Sequence, residues 1–255
     1  MADVLVLFGS KSDEDTYKQI TKILDKEKVS YELKIVSAHK TPGDVDPIIG
    51  RNYKVIISGA GLSAALPGVV AAKTIRPIIG VPCKGSYQGL DALLSIMQMP
   101  PGIPVLSVGV EKADVATYAT IKILKNPKKV VLIGDKNNKA VKRAEEILRQ
   151  FGVNHAHSTQ VADNTINIDF VYFDEPIEKK EQLVIYCPLL LENDDKAEAS
   201  LNLLKHSDHG LWVGLNNGTN AALAVIEILN IDNSFEQKLV RYRNEIGDEI
   251  REYNK

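Results

Sequence analysis

The chain's pattern predicts an α/β fold: a doubly wound parallel sheet in three layers, flavodoxin- or Rossmann-like, in tandem with a second, degenerate α/β unit. Three observations carry this. Short apolar runs alternate with stretches of helical spacing, the mark of βαβ units. The pattern starts again near residue 126. A chain of 255 residues, 44% hydrophobic, has the size and apolar content for about two ordinary domains.

The elements follow in order. Residues 3–8 form a first strand, and Asp13 to Lys28 an amphipathic crossover helix with Tyr17, Ile20, Ile23 and Leu24 at helical spacing. Residues 31–36 alternate as a half-buried strand, and 54–58, 77–81 and 104–109 read as further strands. One helix follows Pro67 through Val69 to Ala72, and another follows Gly109 through Ala113, Ala116, Ala119, Ile123 and Leu124. Then Val130 to Lys136 echoes Leu5 to Lys11, and Ile147-Leu148 echoes Ile23-Leu24. Further on, Val213-Gly214, Asn220 to Ala222 and Ile228-Leu229 echo Val108-Gly109, Ala116-Thr117 and Ile123-Leu124. Glycine to glycine, the first unit spans 100 residues (9 to 109) and the second 80 (134 to 214).

Composition narrows the function. A net charge of −2 argues against a nucleic-acid or anionic-membrane partner. There is no run of eighteen apolar residues, and Met1 to Leu7 lacks the basic flank of a signal peptide, so a cytoplasmic protein is expected. Cys83 and Cys187 have no metal-type spacing and no reason to pair in a reducing compartment. They read as buried or incidental.

The chemistry concentrates in the first unit. Ser37-Ala38-His39-Lys40-Thr41-Pro42 sets a histidine and a cation at a strand end, where open α/β sheets hold ligands. An imidazole moves protons both ways near neutrality, and the neighbouring ammonium suits an anionic substrate. Gly9-Ser10-Lys11-Ser12-Asp13 brings backbone amides and two hydroxyls to a helix start, a geometry suited to phosphate, although Asp13 also reads as a plain helix cap. Gly59-Ala60-Gly61-Leu62-Ser63-Ala64 offers small residues where a ligand approaches backbone. As a dinucleotide fingerprint that run fails, because Ile78 to Pro82 supplies no carboxylate for a ribose. No G-x-S-x-G elbow and no P-loop is present. His155, His157, His206 and His209 read as surface histidines, so no metal site is expected.

Four segments together carry a family resemblance: Gly9 to Asp13; Ser37 to Pro42; Gly59-Ala60-Gly61 with Leu66 to Ala72; and Leu93 to Pro104. They resemble the catalytic subunit of phosphoribosylaminoimidazole carboxylase, the PurE family, in order and spacing over residues 3 to about 125. Residues 233–252 also resemble the family's C-terminal helix. The resemblance implies a catalytic domain at 1–125 completed by 233–255, with 126–232 a non-catalytic repeat.

The resemblance further implies carboxylation of aminoimidazole ribonucleotide in purine synthesis without any cofactor. His39 would move the proton, Ser10 and Lys40 would hold the 5′-phosphate, and Asp13 the ribose hydroxyls. Ser12, Ser37, Ala38, Gly59, Ala60, Gly61, Leu62, Ser63 and Leu66 would complete the substrate site, with loop 83–89 helping to close it. Two reactions stay open: carboxylate transfer from N5-carboxyaminoimidazole ribonucleotide, with a partner enzyme supplying that carbamate, and direct capture of CO2. Lys40 stands where bacterial mutases usually carry arginine and Ala65 where they usually carry histidine, whereas Pro67 and residues 89–104 resemble the mutase branch. A ribonucleotide-binding protein without turnover is the competing class. The family's octamers imply a homotetramer with pseudo-octameric symmetry for a chain of two halves.

Overall fold

A computed structural model describes residues 2–254. The first unit runs β1 (Val4–Phe8), α1 (Glu14–Lys26), β2 (Tyr31–Ile35), α2 (Val45–Ile49), β3 (Val55–Ala60), α3 (Ala65–Ala71), β4 (Ile78–Pro82), α4 (Leu90–Met97), β5 (Leu106–Ser107) and α5 (Ala113–Leu124). The second runs β6 (Lys129–Ile133), α6 (Lys139–Phe151), β7 (Ala156–Ser158), β8 (Thr165–Tyr172), β9 (Leu183–Leu189), α7 (Lys196–His206), β10 (Leu211–Trp212) and α8 (Gly218–Leu229), followed by α9 (Glu236–Glu252). Helix α1 shows why these segments fold as they do. It buries Thr16, Tyr17, Ile20 and Leu24 on one stripe and carries Glu14 and Asp15 at its positive end and Lys26 at its negative end. Strands β1, β3 and β4 are buried along their whole length and read as near-continuous apolar runs, as parallel strands covered on both faces do.

The two units share one sheet of order β2-β1-β3-β4-β5-β10-β9-β8-β6-β7. Pairing is parallel within each half and antiparallel at the β5–β10 seam, where Trp212 lies opposite Ser107. The halves therefore have the same strand order, 2-1-3-4-5, read from each outer edge inward to the seam. Among the described residues the second half has no helix between β7 and β8 or between β8 and β9, where the first has α2 and α3. Those two losses account for its shorter span.

The sequence echo is one residue out of phase with this structure. It aligns Val6 with Val131, yet Val4, Val6 and Phe8 share a hydrophobic cluster with Val130 and Leu132. Val6 pairs with Leu33 and Ile57, and Leu132 with His157 and Ile168, so Val6 and Leu132 are the equivalent positions. A slip of one residue turns every strand side chain to the other face, and burial fixes the register.

One face of the sheet carries α1, α5, α6 and α8 over a single cluster that spans both units. The other carries α2, α3 and α4 over a second cluster, while Leu93 and Met97 of α4 meet Leu203 of α7 and Trp212 in a third. The seam is reciprocal. A Cβ at Gly109 would lie 2.4 Å from Ser207 O, just past α7, and one at Gly214 would lie 2.8 Å from Gln98 Oε1, just past α4. Buried Asn220 of α8 accepts from Gly102 N at 2.8 Å and donates to Pro100 O at 2.9 Å, while Asn217 donates to Met99 O at 3.1 Å.

Residues 233–255 touch both units: Asn233 Oδ1 accepts from Arg76 Nη2 of the first unit at 2.6 Å, and α9 reaches the second. Lys238 of α9 donates to Phe151 O at 2.7 Å, Tyr242 packs edge-on against Phe151, and Arg243 pairs with buried Glu227 at 2.8 Å. Helix α9 thus bridges the halves, with Lys238, Tyr242 and Arg243 on α6 and α8, and Tyr242 and Ile246 also reaching Gly102 of the first unit. The apolar stripe around Leu239 follows the cluster that both units share.

Candidate active site

A cleft of about 310 Å³ opens at the C-terminal ends of β1 to β4, a volume suited to a small molecule. Strands β1 and β3 are neighbours there while their chain connections run to opposite sides, the switch point at which open α/β sheets bind ligands. Eleven of the thirteen expected site residues line it: Ser10, Ser12, Asp13, Ser37, Ala38, His39, Lys40, Ala60, Gly61, Leu62 and Leu66. Gly9, Ala65, Lys84 and Gly85 line it too.

After β1 the chain makes a short 3-10 turn over Lys11–Asp13. Ser10 Oγ accepts from Ser12 N at 3.1 Å and from Ser12 Oγ at 2.7 Å. Asp13 precedes α1 but makes no capping hydrogen bond, so the plain-cap reading of this carboxylate does not hold. Its Oδ2 is buried and has no hydrogen-bond partner. Burial pushes the Asp13 carboxyl above its ordinary value, opposed by hydrogen bonds from Ser12 and Cys83.

After β2, Val36 N donates to Phe8 O at 2.9 Å, which ties the strand end to β1. The turn that presents His39 is then locked: Thr41 N donates to Ser37 O at 2.9 Å, Ser37 N to Thr41 Oγ1 at 3.1 Å, and Lys40 N to Ser37 Oγ at 3.2 Å. Pro42 opens the next turn at a position that needs no amide donor. His39 and Lys40 are exposed at the cleft.

After β3, Leu62 and Ser63 adopt φ of +48° and +53°, a left-handed conformation uncommon outside glycine. Ser63 N donates to Asp91 Oδ2 at 3.0 Å, so α4 holds this loop in place. Facing it, Tyr87 and Gln88 are also left-handed, with φ of +55° and +57°.

Two expected site residues lie elsewhere. Gly59 is buried inside β3, where a Cβ would come within 2.1 Å of the Phe8 ring, so its smallness serves packing. Ser63 is exposed next to the cleft residue Leu62, its amide engaged with Asp91. Lys84 and Gly85 belong to the loop 83–89 expected to close the site, and they line the cleft. Cys83 is buried beneath the cleft, beside Asp13, and burial raises its thiol pKa far above the ordinary value.

The AIR carboxylase family model matches residues 3–132, which contain every residue of this cleft. The chain belongs to the AIR carboxylase family. It is similar to the N5-carboxyaminoimidazole ribonucleotide mutase of Pyrococcus abyssi, at 46% identity over 49% of this chain and 74% of that protein. The mutase of the same name from Methanocaldococcus jannaschii is 39% identical over 58% of this chain and 98% of its own length. The phosphoribosylaminoimidazole carboxylase of Schizosaccharomyces pombe is 47% identical over 47% of this chain and 22% of that longer protein. The crystal structure of Treponema denticola PurE aligns at TM-score 0.42 and 32% identity, over 48% of this chain and 80% of that one. Among the described residues no helix is long and apolar enough to cross a membrane.

Proposed function

We propose that the first unit of this AIR carboxylase family member forms 4-carboxy-5-aminoimidazole ribonucleotide in purine synthesis, by carboxylate transfer from N5-carboxyaminoimidazole ribonucleotide through CO2. One observation carries the reading: His39, Asp13, Ser10, Ser12 and Lys40, far apart in sequence, converge on one cleft at the sheet's switch point. The carbamate C–N bond breaks to release CO2 as its nitrogen takes a proton from protonated His39, and the ring carbon attacks the CO2 with its π electrons. That carbon then loses its hydrogen as a proton to the neutral imidazole of His39, which restores the aromatic ring. In the reverse direction the imidazolium returns the proton and the new C–C bond breaks.

The other groups hold the ribonucleotide. Lys40 and the Ser10 to Ser12 turn suit the 5′-phosphate, and Lys84 adds a second cation at the opposite wall. The buried, unpartnered Asp13 Oδ2 suits a ribose hydroxyl donor. The loops at Leu62 and Tyr87 limit escape of CO2 and entry of water.

A second reading, direct carboxylation of 5-aminoimidazole ribonucleotide, is favoured by Lys40 and Ala65, which both line the cleft. Rates of the purified protein with 5-aminoimidazole ribonucleotide plus bicarbonate, set against the preformed carbamate, separate the two. Saturation at low CO2 with the first substrate would replace the mutase reading. His39→Asn should lower kcat by roughly 10²–10⁴-fold while ribonucleotide binding persists. Retained turnover in that variant would remove His39 from the chemistry, and binding without turnover in the unmodified protein would leave a ribonucleotide-binding protein.

We further propose that 126–232 is non-catalytic and architectural, and that the chain works in the cytoplasm as a homotetramer of pseudo-octameric symmetry. Asp135 stands after β6, where a phosphate would be repelled. Leu62 and Tyr87 are 69% and 79% exposed at the cleft rim, apolar surface suited to a neighbouring chain.

A further inference from the structure

We propose that Glu145, His155 and His157 bind one divalent transition-metal ion of the zinc class, on the face of the second unit that carries α6. Each offers one ligand atom, and these three atoms lie within 4.8 Å of one another. Two histidines and a carboxylate are a donor set that zinc takes with a further position left for water. A tetrahedral ion with bonds of about 2.0–2.1 Å needs ligand atoms roughly 3.4 Å apart, which side-chain rotation reaches from the separations found here.

The fold brings these donors together and sequence spacing hides them. His157 lies in the edge strand β7 and His155 directly precedes it, two residues away, so both rings fall on one side, 5.9 Å apart. His157 lies opposite Leu132, the place taken by Leu33 opposite Val6 in the first unit, and that register points it toward α6. There its Nε2 lies 2.6 Å from Glu145 Oε1, and the two imidazoles meet edge to face at 5.9 Å. By the same register Tyr31 takes the place of His155, so the first unit has an aromatic and an aliphatic residue where the second has two metal donors.

The surrounding contacts are those of a supported ligand set. His155 Nδ1 lies 3.3 Å from Val153 O, which fixes that nitrogen as the donor and leaves Nε2 available to a metal. Glu145 Oε2 accepts from Arg149 Nη2 at 2.7 Å, which orients the carboxylate and leaves Oε1 toward the histidines.

The test is a zinc titration of the full chain after chelator treatment, read by bound metal per chain, with cobalt(II) substituted to report coordination geometry by its visible spectrum. One ion per chain is expected at micromolar zinc, with tetrahedral cobalt bands. Glu145→Gln, His155→Ala and His157→Ala should each weaken binding by more than about 100-fold, beyond the 10–100-fold typical of losing a supporting partner. Glu145→Gln keeps the side chain's shape, and circular dichroism confirms folding of all three variants. A wild-type chain that takes up no zinc at micromolar concentration, or stoichiometric binding that survives both Glu145→Gln and His157→Ala, would overturn the site.

Discussion

Replacing Asn220 with alanine tests whether the second unit holds the first unit's cleft in shape. Asn220 is 1% exposed, and its side chain accepts from Gly102 N at 2.8 Å and donates to Pro100 O at 2.9 Å. Each such bond contributes about 0.5–1.5 kcal/mol net, and a buried backbone amide left without a partner costs about 1–3 kcal/mol. The substitution should therefore lower stability by about 2–4 kcal/mol, a fall in Tm of roughly 4–16 °C for a chain of this size. The loop concerned directly follows α4, whose Asp91 holds Ser63 at the cleft, so KM for the ribonucleotide should rise as well. Urea and thermal melts give the first number, and initial rates give the second. A stability change below about 1 kcal/mol would refute the claim that this side chain fastens the seam. A full stability loss with unchanged KM would refute the link from seam to cleft.

Burial pushes Asp169 up to about 6 from an ordinary 3.8, with Lys180 only partly opposing. The folded state holds this proton more tightly than the unfolded one, so the associated stability is full below pH of about 4 and lost as pH rises through about 6. At 1.36 kcal/mol per pKa unit the ionised group costs up to about 3 kcal/mol, and Asp169→Asn should be more stable than wild type by that order near pH 7.5 and equal near pH 4. The same difference at both pH values in urea melts would rule this out. Light scattering of the native protein should give four chains of 28.0 kDa, and a mass of one chain would end the tetramer proposal.

How much of this was legible in sequence follows from the physics of each feature. Strands β1 to β4 were found within two residues at each end, because buried parallel strands (β1, β3, β4) are short apolar runs and the half-buried edge strand β2 alternates, both of which local pattern shows directly. Ser10, Asp13 and His39 were legible because each follows an apolar run, and strand ends on one edge of a sheet converge whatever their separation in the chain. Gly59 was misread because its smallness answers to the Phe8 ring across the strands, a neighbour that local pattern cannot name. The one-residue phase error in the echo of β1 by β6 has a similar origin: both strands are apolar on both faces, so pattern alone leaves their register open. The cluster of Glu145 with His155 and His157 needed the pairing of β7 beside β6 to exist.

By itself, the sequence determined the α/β class, the strand order of the first unit, its helices α1, α3 and α5, and the residues that end its strands, since periodicity and turn chemistry are local properties. Tertiary structure alone decided that both halves share one sheet through β5 and β10, that α9 reaches α6 and α8 as well as the first unit, and that three donors meet at the far edge. Those outcomes depend on which apolar faces and edges find one another, and the burial that selects among them is set by the whole chain at once.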